Sequence, residues 1–173
     1  MATTDGAELR RRLLEEEQRT HGNHDYRRFH EGRFRYVLSL CRELVPSPDA
    51  PVLDVGRSFL TSVLATHYRD VTTLGFAPAD DGHVAAHSIG ALRGPHIAFD
   101  LNDARSPELW PKLGARFGLV VFAEVIEHLY AAPEFALGLL REALAPGGFL
   151  VCQTPNATSL TKRLKMILGQ NPF

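Results

Sequence analysis

The 173-residue chain has no glycine-rich phosphate loop, no long apolar run, no surplus of either charge and only two cysteines. Each shortage removes a class of protein. Two cysteines cannot staple a disulfide-rich fold, and because Cys41 and Cys152 both sit inside apolar patterns they read as buried free thiols. No apolar stretch approaches the roughly 18 residues of a membrane span. The N-terminus passes from Met-Ala-Thr-Thr-Asp into Arg/Glu-rich sequence, without the apolar segment of a signal peptide. A cytoplasmic protein with no membrane partner is expected. Nineteen Lys and Arg against 20 Asp and Glu leave a net charge of −1, which gives no electrostatic case for a nucleic-acid partner. His83 and His87 form the one histidine pair at i,i+4, but neither an HExxH pattern nor a cysteine pair accompanies them, so no metal site is expected.

What is present, 45% apolar and 23% charged residues over a length suited to one domain, is ordinary for a globular protein and leaves the pattern to decide. Residues 7–19 are charged helix formers, a solvated lead-in. Over residues 25–44, Phe34, Val37, Leu38, Cys41 and Leu44 fall on one helical face that needs a sheet to pack on. Pro46, Pro48 and Pro51 then end the helix. Short apolar runs at 52–55, 71–74, 96–99, 119–122 and 149–152 read as buried strands. Helical stretches separate them: one after Gly56 with Leu60, Val63 and Leu64 inward, a weaker one at 80–90, and a short one started by Ser106 and Pro107. Another begins at Pro133, buries Ala136, Leu139, Leu140, Ala143 and Leu144, and stops at Pro146-Gly147-Gly148. Ser159 caps a last amphipathic helix with Leu160, Leu164, Ile167 and Leu168.

Strands alternating with helices imply a parallel sheet with right-handed crossovers and helices on both faces. Residues 1–48 form an N-terminal helical segment and 49–173 the α/β domain. Ligands of such sheets bind beyond the carboxyl ends of the strands, where strand order reverses. If the first and fourth strands are neighbours there, the loops after Val55 and Phe122 face one crevice. Asp54 and Gly56 end the first strand, but Arg57, Ser58, Phe59 and Leu60 follow, so G-x-G-x-x-G spacing fails, and no Walker lysine motif exists. Asp54 would repel a phosphate and suits a ligand carrying an ammonium and hydroxyls. A nucleoside with an amino-acid tail fits better than a dinucleotide; an anion site built from Arg57, Ser58 and the helix N-terminus is the alternative.

Four stretches, Val52-Leu-Asp-Val-Gly56, Phe99-Asp-Leu-Asn-Asp103, Val120-Val-Phe-Ala-Glu-Val-Ile-Glu-His-Leu129 and Leu144-Ala-Pro-Gly-Gly-Phe-Leu-Val151 running on to Thr154-Pro-Asn156, occur in this order. Together they resemble the class I S-adenosylmethionine-dependent methyltransferases, especially the small-molecule type with a Glu-His-Leu motif after the fourth strand. The resemblance covers residues 50–173. It implies a Rossmann-like, doubly wound, mainly parallel sheet behind N-terminal helices, S-adenosylmethionine as cofactor, and a small-molecule methyl acceptor. Asp54 and Gly56 would border the methionine moiety, with Ser58 offering its hydroxyl and N–H to the carboxylate tail. Asp100 and Leu101 would lie beside the adenine, Asp100 accepting from its amino group. Ala123 and Glu124 would line the floor near the sulfonium, and Glu124 and His128 are the candidate bases if the acceptor is a hydroxyl. Each has a plainer alternative: Asp54 caps the turn, Asp100 is a strand-end turn residue, and Glu127 with His128 orders the loop after the fourth strand. Arg33 and Arg35 read as a solvated helix face rather than ligands of the cofactor carboxylate.

The chain departs from the family pattern in several places. Ser58 and Leu60 replace loop glycines, and Leu60 would intrude on a close backbone approach. No acid ends the second strand at 74–77, leaving Asp80 or Asp81 to reach back to the ribose, and Gly118 replaces an Asp before the fourth strand. The family's last two strands have no counterpart, so the fifth strand would lie at an edge; a truncated piece, or a homo-oligomer covering that edge, is expected. The rival function is a non-catalytic binding module on the same fold.

Overall fold

The computed structural model describes residues 24–77, 94–113, 117–156 and 159–170. The expectations for residues 7–19 and 80–90, with His83, His87, Asp80 and Asp81, lie outside the described residues. In chain order the elements are α1 (His24–Leu44), β1 (Val52–Val55), α2 (Phe59–Leu64), β2 (Val71–Gly75), β3 (His96–Ala98), β4 (Phe117–Ala123), α3 (Pro133–Ala143), β5 (Leu144–Gln153) and α4 (Leu160–Ile167). Short 3-10 turns occupy Leu101–Arg105, Pro107–Leu109 and Ile126–His128.

The strands form one sheet in the order β3-β2-β1-β4-β5, every pair parallel. β1 is flanked by β2, which follows it, and by β4, which enters after the chain has crossed back, with Val55 opposite Phe122. Strand order therefore reverses between β1 and β4, and the expected neighbours are neighbours. Each strand divides its side chains between two cores by period-two alternation. Val52, Leu119, Val121 and Val151 pack under α1 and α2 with Phe34, Val37, Cys41 and Val63. Leu53, Val55, Val120 and Phe122 pack on the other face with Ala136, Leu139 and Leu140 of α3. The apolar stripe of residues 25–44 thus finds its sheet, and α1 shares a core with β1.

Several expectations change. β5 does not wait for Phe149; it starts at Leu144 as α3 ends and runs through Pro146-Gly147-Gly148, with a register shift against β4 between Phe117 and Leu119. A Cβ on Gly148 would lie 3.0 Å from the carbonyl oxygens of Ala145 and Phe117 and 3.1 Å from that of Gly118, so glycine lets the two backbones approach there. Cys152 is exposed, whereas Cys41 is buried as expected. β5 has β4 on one side only, and of residues 149–152 Val151 alone is fully buried, so the apolar run does not imply burial of every member. On α4, Leu164, Met166, Ile167 and Leu168 are also largely exposed, and Ser159 makes no side-chain cap.

Candidate functional site

The turn that follows β1 explains itself from its own residues. Ser58 is the N-cap of α2: its hydroxyl accepts from the N–H of Leu60 at 3.2 Å, and its own N–H donates to Thr61 Oγ1 at 3.0 Å, a reciprocal capping box. Thr61 Oγ1 donates in turn to Asp54 Oδ2. Asp54 is 1% exposed, and burial pushes its carboxyl up to about 7 although the Thr61 bond favours the charged form. The same burial, with the Asp54 charge adding to it, pushes the Cys41 thiol up to about 12. Leu60 does not intrude on the crevice: it is 3% exposed and belongs to the core with Phe34 and Val63. α2 has only six residues, and the cap takes the Ser58 N–H while its hydroxyl oxygen accepts from Leu60 and keeps its O–H as a donor. Arg57, half-buried, keeps an Nε that is buried with no hydrogen-bond partner among the described residues.

Gly56 meets the turn after β4. Its φ is +83°, and a Cβ added to it would fall 2.5 Å from Val125 Cγ2, so both conformation and contact demand glycine. The Gly56 N–H is held by the Leu74 carbonyl at 2.9 Å, and a Cβ on Gly75 would lie 3.9 Å from the Gly56 backbone. The carboxyl ends of β1, β2 and β4 therefore converge on one notch, where the Val125 side chain takes the space that a Cβ on Gly56 would need.

Beyond that notch stands Glu124, whose φ of +58° is the one positive value outside glycine among the described residues. Such a conformation costs on the order of 1 kcal/mol or more and persists only where the surroundings over-determine it. Here they do. Its N–H donates to the Gln153 carbonyl at 2.9 Å, Oε1 accepts from Gln153 Nε2 at 2.7 Å, and Oε2 pairs with Arg33 Nη1 at 2.8 Å. Burial raises the carboxyl, the Arg33 cation opposes that rise, and the Glu127 charge adds to it. Arg33 is therefore not part of a solvated helix face; it reaches from α1 to the end of β4. Arg35 does lie on such a face, paired with Glu31 one turn earlier. The signal for Arg33 was its place beside the apolar stripe, four residues before Val37. Glu127 and His128 are exposed on the 3-10 turn, and Thr154 Oγ1 donates to Glu127 Oε2 at 3.2 Å.

On the other side of the notch, Asp100 caps the 3-10 turn Leu101–Arg105, its Oδ1 accepting from both the N–H and the Nδ2 of Asn102 at 2.9 Å. Leu101 turns into the core. Ala123 is nearly buried at the end of β4. Sequence reasoning missed His96, which locks β3 to the end of β2: Nε2 donates to the Phe76 carbonyl at 2.9 Å, so Nδ1 is the acceptor for Thr73 Oγ1 at 2.8 Å. It also missed Asn102 and Gln153. Among the described residues no three metal-ligating side chains converge, and no helix is long and apolar enough to cross a membrane.

A family model described as a methyltransferase domain matches residues 29–172. The chain belongs to that family. Its resemblance to the class I S-adenosylmethionine-dependent methyltransferases is upheld, and S-adenosylmethionine is the cofactor of the family. The methyltransferase domain is also similar in fold to the N-methyltransferase NodS from Bradyrhizobium japonicum WM9, solved with S-adenosyl-L-homocysteine: 23% identity, TM-score 0.52, covering 84% of this chain and 70% of NodS. A second similar structure is CalS10 from Micromonospora echinaspora, an amino pentose methyltransferase of calicheamicin biosynthesis solved with S-adenosylmethionine. There identity is 24% and TM-score 0.55, over 83% of this chain and 56% of CalS10. The chain thus spans little more than half the length of CalS10. No curated protein sequence matches it.

Proposed function

We propose that this chain binds S-adenosylmethionine in the crevice between the turns after β1 and β4 and transfers its methyl group to a small-molecule acceptor. The observation that carries the reading is the meeting of the turns after β1 and β4 where strand order reverses, with Gly56 at positive φ packed against Val125 and the over-determined Glu124 beside them. The residues present fit the cofactor: Asp100 Oδ2, without a partner among the described residues, is an acceptor for an adenine amino group. The Ser58 N–H is taken by the cap, while its hydroxyl, an acceptor for the Leu60 N–H, keeps its O–H as a donor for a carboxylate tail.

Bound there, the cofactor supplies a methyl carbon activated by a sulfonium; this chain's residues hold, orient and dehydrate. Glu124, anchored through both carboxylate oxygens, shapes the floor and opposes a cation with a fixed negative charge. His128 and Glu127, exposed at the rim, are available to take a proton from an acceptor hydroxyl or ammonium. The reading includes a cytoplasmic location and self-association across the uncovered edge of β5. Titration of the purified chain with S-adenosylhomocysteine tests it: micromolar binding is expected, and none at millimolar ligand would overturn it. The occupied Ser58 N–H and the missing acid after β2 favour a second reading, a module that binds without turnover. Binding with no methyl transfer to any of a panel of small amines, phenols and sugars would select it.

A further inference from the structure

One half-buried amide joins the two loops that border the crevice. Asn102 Oδ1 accepts from the backbone N–H groups of Tyr130 at 2.7 Å and Ala131 at 3.1 Å. Its Nδ2 donates to Asp100 Oδ1 at 2.9 Å, and the same oxygen takes the Asn102 N–H. The amide orientation follows from its partners, since only oxygen answers two N–H donors and only the amino group answers a carboxylate. Asp100 and Asn102 lie just after β3, whereas Tyr130 and Ala131 lie just after the turn that carries Glu127 and His128. Leu129 packs against the core, but the Tyr130 ring that follows is 96% exposed, so at Tyr130 and Ala131 the amide contact is what joins this loop to the one after β3.

Asp100 is shaped by the same contact. With both donors on Oδ1, its carboxylate is held in one orientation and Oδ2 is left for an incoming donor. Resting on the function proposed above, we infer that Asn102 is a positioning residue that couples cofactor binding at Asp100 to the ordering of the loop behind His128. A ligand that selects this orientation of Asp100 stabilises the amide that closes the loop, and by reciprocity a closed loop favours the ligand.

Two substitutions separate the halves of this coupling. Asn102→Ala removes both links, whereas Asn102→Asp keeps an acceptor for Tyr130 and Ala131 but sets a like charge against Asp100. The readouts are calorimetric affinity for S-adenosylhomocysteine and amide exchange at Tyr130 and Ala131 with and without it. In the unsubstituted chain both amides exchange more slowly once ligand is bound. Asn102→Ala is expected to lose about tenfold in affinity, with fast exchange that no longer responds to ligand. Asn102→Asp should lose affinity at least as far yet retain slow exchange without ligand. Affinity within twofold of the unsubstituted chain in either variant would overturn the coupling, with circular dichroism checking that each is folded; should Asn102→Ala unfold, Asn102→Asp decides. If the unsubstituted chain itself does not bind S-adenosylhomocysteine, the methyltransferase reading fails; if it binds and the variants match it, only the role of Asn102 fails.

Discussion

The turns after β1 and β4 end neighbouring strands, yet they use their polar groups in opposite ways. After β1, Asp54, Ser58 and Thr61 satisfy one another within eight residues, and the side chains of Phe59 and Leu60 go to the core. What this turn presents at its tip is the Gly56 backbone, packed against Val125 and without a side chain of its own. After β4, Glu124 is held in a strained conformation by Arg33 of α1 and Gln153 of β5, and Glu127 and His128 stay exposed. The first turn is built from local bonds and is closed; the second is built from distant ones and carries the open chemistry. A loop altered at two of its family glycines can therefore keep its shape, because the substituted residues serve the cap and the core.

The most severe way to break this contrast is to fill the notch. Gly56→Val places a β-branched side chain at positive φ against Val125, and is expected to cost about 4 kcal/mol of stability from strain and overpacking. S-adenosylhomocysteine binding should fall more than a hundredfold. Urea unfolding and calorimetry check both, and adding Val125→Ala should restore part of the stability. Unchanged ligand affinity in the single variant would mean that the glycine at 56 serves packing alone.

Asp54→Asn sharpens the closed side. Burial holds the Asp54 carboxyl up to about 7 in the fold, against an ordinary value of 3.8. The unfolded chain sheds this proton first, so stability falls as pH rises between about 4 and about 7. The loss is on the order of 4 kcal/mol, since one unit corresponds to about 1.4. Asparagine keeps an acceptor for Thr61 and removes the titration, so the variant should lack this slope and exceed the original chain in stability at pH 8. Denaturation curves across pH 4–8 measure it; equal slopes would assign the pH dependence elsewhere.

Arg33→Met tests the open side and has the smallest expected effect. Glu124 would keep its burial and lose its cation, at a cost of about 1–2 kcal/mol, between the values for exposed and fully buried pairs. Because Arg33 opposes the rise of the Glu124 carboxyl, its removal lets that carboxyl rise further. The deficit is therefore expected at pH 8 and should shrink as pH falls into the carboxylate range and the carboxyl takes up its proton. A deficit independent of pH would show that Arg33 acts by packing its stem on the sheet and not by charge.

The elements most readable in the sequence were those whose reasons are local. The stripe Phe34, Val37, Leu38, Cys41 repeats at helical spacing, Pro133 starts α3, and 119–122 is apolar enough to be buried on both faces; all three follow from chain periodicity and turn chemistry. Leu60 and Cys152 misled for one reason. A residue's type states a preference for burial, but which way it faces depends on what packs beside it: α1 over Leu60, and, among the described residues, no strand beyond β5 near Cys152.

By itself the sequence determined the α/β class, the strand-by-strand pattern and, through its four motifs, the methyltransferase family, because each rests on residues near one another in the chain. Only the tertiary structure decided that Asp54 is locked inward by Thr61, that Arg33 and Gln153 clamp Glu124, and that Asn102 ties the loop after β3 to the loop after β4. Apart from the local Asp54–Thr61 bond, those contacts join groups far apart in sequence. They exist because parallel crossovers bring the carboxyl ends of β1, β2 and β4 to one edge of the sheet, an arrangement that no local pattern encodes.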